Sequence, residues 1–147
     1  KFTLDLPKEA LWIDADAAMI GRAVTNLLKN AGESIGDRKV HQPDHKGAIR
    51  IAAAQTDRSV VVEISDNGAG LPEDRARLLE PYVTNRLSGT GLGLSIVVKT
   101  IEEHGGTFAL TDAEAFQEGD RPGAKAVIRL PRLADSIAQK IDLGIPA

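Results

Sequence analysis

The feature that most constrains the fold is a run of apolar residues at helical spacing near the start of the chain. The pattern predicts one long amphipathic helix of about five turns, which needs a broad apolar partner such as a sheet. Asp14 is the expected N-cap and Gly36 the expected end. Residues 36–47 are then predicted to form a polar loop. The apolar stripe consists of Met19, Ile20, Ala23, Val24, Leu27, Leu28, Ala31 and Ile35.

The other regular elements are predicted mainly as strands, which come largely in consecutive pairs. The β-branched run Val60–Ile64 is typical of a central strand. A second helix is predicted over Leu92–Ile101, ended by Gly105 and Gly106, and a short helix opens at Pro72. Strands are expected at Phe2–Leu6 (half-buried), Ile49–Ala54, Ser59–Ser65, Thr107–Leu110 and Ala124–Leu130, with a further short candidate at Leu11–Ile13.

Strands in consecutive pairs favour hairpins over an all-parallel sheet. We therefore predict an α+β fold: a two-layer sandwich in which about three helices cover one face of a mixed, mainly antiparallel sheet. The 147 residues suit one domain, expected over residues 1–131, with 132–147 as a tail that is helical or frayed. A polar insertion at 112–123 separates the last two strands.

Composition excludes several classes of function. The net charge of −3, with scattered Lys and Arg, argues against a nucleic-acid surface. The absence of cysteine excludes disulfides, thiolate zinc sites and cysteine nucleophiles. No apolar run approaches the roughly 18 residues of a membrane span, and no secretory leader is visible. The chain starts at Lys1 rather than Met, so we expect a piece of a longer protein.

Two asparagines stand on the predicted long helix. Asn26 and Asn30 are four positions apart, so they share one helix face beside the apolar stripe. Asn is unfavourable inside helices, and its amide oxygen is a hard donor that suits Mg²⁺ held against phosphate oxygens. The alternative is that both amides hydrogen-bond a neighbouring loop, and taken alone this is the more common arrangement.

A glycine-containing turn follows the predicted central strand. Asp66 stands at the strand end, before Asn67, Gly68, Ala69 and Gly70. The glycines let the backbone turn sharply and let a ligand approach, and the carboxylate can accept a hydrogen bond from an amino group such as adenine N6. Taken alone, the segment is also favourable for an ordinary turn.

A second glycine-rich segment leads into the second predicted helix. It consists of Gly89, Thr90, Gly91, Leu92, Gly93 and Leu94. Free N–H groups and the dipole at a helix start bind phosphate, which we favour here over a tight turn. The segment is neither the dinucleotide fingerprint nor a P-loop, since Leu94 replaces the third glycine and no Gly-Lys-Ser/Thr follows.

Together these segments resemble the N, G1 and G2 boxes of the gyrase–Hsp90–histidine kinase–MutL superfamily. The stretch EPYVTNR, residues 80–86, resembles the F box of sensor histidine kinases. The phrases NLLKNAGESI, DNGAGLP, GTGLGLSIV and HGGTF are most similar to nitrogen-regulation sensor kinases of the NtrY and NtrB type. The resemblance spans about residues 3–131 and implies the Bergerat ATP-binding fold.

The resemblance implies ATP and Mg²⁺ as ligands and assigns a role to each matching residue. Asn30 would hold the metal, Asn26 would support it, and Glu33 would reach the metal shell or the ribose, or simply face solvent. Asp66 would read adenine. Arg86 would meet a phosphate or remain a solvated charge. The remaining implied contacts are Gly68, Gly70 and Leu71 in the first glycine box, Tyr82 and Thr84 in the lid, and Gly89, Thr90, Gly91, Leu92, Gly93 and Leu94 in the second.

One position departs from the hydrolysing members of that superfamily. They carry a glutamate one turn before the metal-binding asparagine, where this sequence has Asn26, which cannot take a proton from water. The resemblance therefore implies transfer of the γ-phosphoryl group to a side chain, with Asn26, Asn30 and Arg86 as catalytic residues. The alternatives are an ATPase of the same fold and a nucleotide-binding scaffold without phosphoryl transfer.

None of the three histidines stands in an acceptor context. His41 and His45 are predicted to be solvated in a loop, and His104 to end the second helix as an imidazolium. The resemblance implies partners elsewhere: a dimerisation domain with the phosphoacceptor histidine, and a response regulator. It also implies a cytoplasmic domain without nucleic-acid or direct membrane contact, in a parent protein anchored in the bacterial inner membrane.

Overall fold

A computed structural model describes residues 1–72 and 93–134, together with Ile137 and Gly144. In chain order the elements of these residues are β1 (Phe2–Asp5), α1 (Ala17–His41), β2 (Ile49–Gln55), β3 (Ser59–Asp66), α2 (Gly93–Glu103), β4 (Thr107–Asp112) and β5 (Ala124–Pro131). The helix predicted to open at Pro72, the loop predicted over 80–90 and most of the predicted tail lie outside the described residues. The boundary expected at residue 131 stays a prediction.

The strands form one mixed sheet in the order β1-β2-β3-β5-β4. β1 runs parallel to β2, and the other neighbouring pairs are antiparallel. The β-branched strand β3 lies in the middle, with Ile64 between Ile51 of β2 and Ala126 of β5. The predicted central strand and both predicted hairpins are therefore confirmed.

The core lies between the sheet and the two helices. Every third or fourth residue of α1 is buried because the apolar stripe turns toward the sheet. The helices run antiparallel, since the start of α1 contacts the residue after α2 and the start of α2 lies beside the middle of α1. The predicted α+β class is confirmed. The main core residues are Ala23, Leu27, Ala31, Ile49, Ile64, Val97, Ile101, Ala126, Ile128 and Leu130.

Both predicted ends of α1 are wrong. The N-cap is Asp16, not Asp14, because the Asp16 carboxylate accepts a hydrogen bond from the Met19 N–H at 3.0 Å. The helix also continues through Gly36 to His41. A Cβ on Gly36 would meet nothing within 4 Å, so this glycine occupies an open helix surface and does not end the helix.

Two expectations for the first residues are also wrong. Leu11–Ile13 forms no strand, although the Trp12 carbonyl accepts one hydrogen bond from the Leu133 N–H at 3.0 Å. β1 is not half-buried: Phe2 is 66% exposed and Leu4 63% exposed. β1 is an edge strand, and among the described residues no helix covers its side chains. Neither described helix combines the length and the apolar character that crossing a membrane requires.

Candidate functional site

The asparagine pair lies where the two helices approach each other. Asn26 and Asn30 are both half-buried on α1. A Cβ placed on Gly93, the first residue of α2, would lie 3.8 Å from Asn30 Oδ1 and 3.9 Å from Asn30 Nδ2. The N-terminus of α2 therefore lies beside the Asn30 amide, at a distance where a Cβ would make ordinary van der Waals contact. The N box and the end of the second glycine box, separate in the sequence, are neighbours in the fold.

Asp66 occupies the last position of the central strand. It is 5% exposed, and its Oδ1 accepts a hydrogen bond from the Gly68 N–H at 2.9 Å. This is the side-chain bond of an Asx turn, so the turn chemistry expected from the sequence is present. Gly70 follows with φ +82°, a conformation that favours glycine.

The turn after β3 packs directly on α1. The Ala69 N–H donates to both the carbonyl oxygen and the Oγ of Ser34, at 3.0 Å each. A Cβ on Gly68 would collide with Ser34 Oγ and with the backbone of Ser34 and Ile35. Gly68 is therefore required by packing against the helix. Ser34 is one helical turn beyond Asn30, a spacing in the sequence that could have identified it.

Asn67 connects the turn to the segment between α1 and β2. It is buried, its Oδ1 accepts from the Ala48 N–H at 2.7 Å, and its Nδ2 donates to the Lys46 carbonyl at 2.9 Å. His45 Nε2 donates to the Asn67 carbonyl at 2.9 Å. The prediction of a solvated loop for His45 is thus wrong, and His41 is the last residue of α1.

A buried arginine completes this network. Arg38 is 6% exposed and donates to Gln42 Oε1 at 2.9 Å, to the Asn67 carbonyl at 2.8 Å and to Asp120 Oδ1 at 2.6 Å. Its hydrogen bond and charge lower the pKa of the Asp120 carboxyl below 3.8. The sequence analysis missed Arg38, Asn67 and Asp120. Arg38 lies one further helical turn beyond Ser34, but nothing in its spacing identifies Asp120 as the partner.

His104 joins the distal ends of the two helices. It directly follows Glu103, the last residue of α2, and its predicted positive charge is wrong. Its Nδ1–H donates to the Thr100 carbonyl at 2.7 Å, and its Nε2 accepts from the Asp16 N–H at 3.1 Å. Accepting that hydrogen bond requires a neutral imidazole with the proton on Nδ1.

The remaining predicted site residues divide into two groups. Glu33, Leu71 and Leu94 are half-buried: Glu33 lies on α1 just beyond Asn30, Leu71 follows the β3 turn, and Leu94 packs against the core. The others lie outside the described residues, and their roles stay predictions: Tyr82, Thr84, Arg86, Gly89, Thr90, Gly91 and Leu92.

The described residues fit a magnesium nucleotide in the chemistry of their donors. The Asn30 amide oxygen is a hard ligand beside a helix N-terminus, which attracts negatively charged groups. Asp66 supplies a buried carboxylate at the end of β3, before a turn in which Gly70 has a positive φ. Asn26 supplies an amide that cannot act as a general base.

Comparison with known proteins identifies the family of the chain. The family model of histidine kinase-, DNA gyrase B- and HSP90-like ATPases matches residues 15–134. Nitrogen regulation protein NtrY of Azorhizobium caulinodans is 52% identical over 101 residues, which are 67% of this chain and 13% of that protein. Sporulation kinase B of Bacillus subtilis is 35% identical over 122 residues, 82% of this chain and 26% of that protein.

A solved structure extends the similarity to the fold. The mycobacterial sensor histidine kinase MprB superposes with a TM-score of 0.74 and 26% identity, covering 90% of this chain and 83% of that one. The chain thus spans only a small part of its curated relatives but most of a solved kinase structure. The predicted resemblance is confirmed, and the chain belongs to the family of histidine kinase-, DNA gyrase B- and HSP90-like ATPases.

Proposed function

We propose that this chain is the ATP-binding catalytic domain of a two-component sensor histidine kinase. It would transfer the γ-phosphoryl group of ATP to a histidine of a dimerisation domain in the parent protein. That phosphohistidine would then phosphorylate a response regulator. The observation that carries the proposal is the approach of Asn30 to the first residue of α2, because a magnesium ion held by Asn30 would lie beside a helix N-terminus that favours phosphate.

The proposed roles combine the positions of the described residues with the roles that the resemblance implies. Asn30 would hold Mg²⁺, with Asn26 and Glu33 on the same side of α1 in support. The bound metal would neutralise charge on the phosphates. Asp66 would accept a hydrogen bond from the adenine amino group, and Gly68, Gly70 and Leu71 would line the base. The lid residues Tyr82, Thr84 and Arg86 and the segment 89–94 would enclose the phosphates.

The histidines of the chain support an external acceptor. His45 and His104 are engaged in hydrogen bonds within the fold, and His41 is the last residue of α1. Asn26 cannot deprotonate a water molecule, so productive transfer depends on a presented side chain. We also propose that the domain works at the cytoplasmic side of a membrane-anchored parent and contacts neither nucleic acid nor the membrane itself.

Calorimetric titration with the β,γ-imido analogue of ATP tests nucleotide binding. We expect binding that weakens when Mg²⁺ is removed, and Asn30→Ala should abolish that dependence on Mg²⁺. Asp66→Asn should weaken binding by about ten-fold or more, since a hydrogen bond to a charged group is worth about 1.5–3 kcal/mol. Asp57→Asn, the same change in the turn at the other end of the sheet, is the matched control and should bind normally.

A phosphoryl-transfer assay separates the kinase from its alternatives. Incubation with labelled ATP and a purified phosphoacceptor domain of the nitrogen-regulation type should label the acceptor histidine, with little release of phosphate when the acceptor is omitted. Rapid phosphate release without acceptor would indicate an ATPase. Good binding with neither transfer nor release would indicate a scaffold.

A further inference from the structure

The segment between β4 and β5, residues 113–123, spans the end of the sheet from which the β3 turn emerges. We call it the strap. On one side, the Phe116 ring lies 4.6 Å from the Arg50 guanidinium of β2. On the other, Asp120 forms an ion pair of 2.6 Å with Arg38 of α1. The strap closes on itself through the Ala113 N–H, which donates to the Gly123 carbonyl at 2.9 Å.

The last residues of the strap contact the backbone of the β3 turn. A Cβ on Gly123 would collide with the carbonyl of Asp66 and the Cα of Asn67. A Cβ on Gly70 would lie 3.0 Å from the Pro122 carbonyl oxygen. The strap thus packs on the turn at Asp66, Asn67 and Gly70, while Ser34 of α1 accepts a hydrogen bond from the Ala69 N–H.

Arg38 of α1 bonds both the turn and the strap. Its Nη1 donates to the Asn67 carbonyl, one residue from Asp66, and its Nη2 donates to Asp120 on the strap. The guanidinium is planar and rigid, so these two bonds fix the strap and the turn relative to α1. Lysine has a single ammonium on a flexible stem and cannot reproduce both bonds in that geometry.

We propose that Arg38 and Asp120 are positioning residues for base recognition, which set the selectivity of Asp66 for adenine over guanine. The inference rests on the proposed function. Adenine carries an amino donor where guanine carries a carbonyl acceptor, so a fixed carboxylate at that edge attracts one base and repels the other. A turn that moves lets the carboxylate withdraw, which weakens adenine binding and relieves the repulsion of guanine.

The test compares dissociation constants for the imido analogues of ATP and GTP, measured by calorimetry on the same preparation of each variant. Asp120→Asn should weaken binding of the ATP analogue by about five- to ten-fold, which corresponds to the loss of one charge-assisted contact. It should also lower the ratio of the dissociation constant of the GTP analogue to that of the ATP analogue. Arg38→Lys should lower the ratio as well. The ratio does not depend on the folded fraction, so a loss of stability alone leaves it unchanged.

The matched control is Glu63→Gln, which removes the 3.6 Å ion pair with Lys125 on the opposite face of the sheet and should leave both constants unchanged. Amide exchange of Ala69 in the nucleotide-free protein gives a second readout, expected to be faster in Asp120→Asn and unchanged in the control. Asp120→Glu, which keeps the carboxylate, should restore part of the selectivity.

The outcomes distinguish the two proposals. Wild-type protein that does not bind the ATP analogue contradicts the proposed function, and this inference falls with it. If wild type binds and Asp66→Asn loses selectivity while Asp120→Asn and Arg38→Lys retain it, only the positioning role is overturned. Loss of selectivity in all three variants, with the control unchanged, supports both.

Discussion

Single side chains hold the candidate site through bonds to backbone groups. Asn67 uses its amide oxygen and its amide nitrogen on the segment before β2, while its carbonyl receives Arg38. His104 connects the distal ends of the helices through its bonds to the Asp16 N–H and the Thr100 carbonyl. Because buried polar groups that lose a partner are costly, these residues should be more sensitive to substitution than exposed ones of the same type.

Asp120 should make the stability of the domain depend on pH under acidic conditions. Its pKa is lowered from 3.8 in the folded protein by Arg38, so the pair stabilises the fold above pH 3.8 and loses this contribution as pH falls through the lower, folded-state pKa. The difference in free energy of unfolding between wild type and Asp120→Asn should therefore shrink from pH 6 to pH 3 in urea titrations. An equal difference at both pH values would contradict this linkage.

His104→Ala should lower the free energy of unfolding by about 0.5–1.5 kcal/mol, because it removes the side-chain hydrogen bonds to the Asp16 N–H and the Thr100 carbonyl. The matched control is His41→Ala at the exposed end of α1, expected to change stability by less than about 0.5 kcal/mol. Chemical denaturation of both variants measures the difference. Equal effects would show that the His104 bonds contribute nothing specific.

At the scale of elements, glycines with opposite surroundings explain how α1 and the β3 turn fit together. Gly32 and Gly36 lie on the exposed surface of α1, where a Cβ would meet nothing within 4 Å. Gly68 lies against Ser34, where there is no space for a Cβ. The same residue type is therefore a weakness inside the helix and a requirement at the turn.

The same substitution should consequently have opposite effects at the two places. Gly32→Ala should raise the free energy of unfolding by about 0.5–1 kcal/mol, because alanine is the better helix former. Gly68→Ala should lower it by about 1–3 kcal/mol through overpacking against α1, and should weaken nucleotide binding. Denaturant titrations of both variants check the signs. A stabilising Gly68→Ala would contradict the packing described here.

At the scale of the whole molecule, the proposed site would draw on three parts that are distant in the chain. Asn30 comes from α1, Asp66 from the end of β3, and Gly93 from the start of α2. The sheet and the helices share one core, so a ligand that binds across these parts favours the folded state of the domain as a unit.

The proposed ligand should therefore stabilise the domain by mass action. With Mg²⁺, an ATP analogue present at one hundred times its dissociation constant should raise the free energy of unfolding by about 2.7 kcal/mol. At the same analogue concentration, removal of Mg²⁺ or the change Asn30→Ala should reduce this gain, whereas Lys29→Ala, at the exposed neighbouring position, should not. The shift in melting temperature at a fixed ligand concentration measures this stabilisation in each variant. A gain that is independent of Mg²⁺ would contradict the role proposed for Asn30.

The sequence by itself determined the α1 stripe, the central strand and both hairpins, because apolar periodicity records which face of an element is buried. It also predicts site roles for Asn30 and Asp66 from the combination of their motifs, and those roles stay predictions. It misplaced both ends of α1. In the sequence, a glycine on an open helix surface cannot be told from one that ends a helix, and Asp14 cannot be told from Asp16 as the N-cap. Only the tertiary structure decided that Arg38 meets Asp120 and that His104 is neutral, because hydrogen-bond partners far apart in the chain depend on how the layers pack.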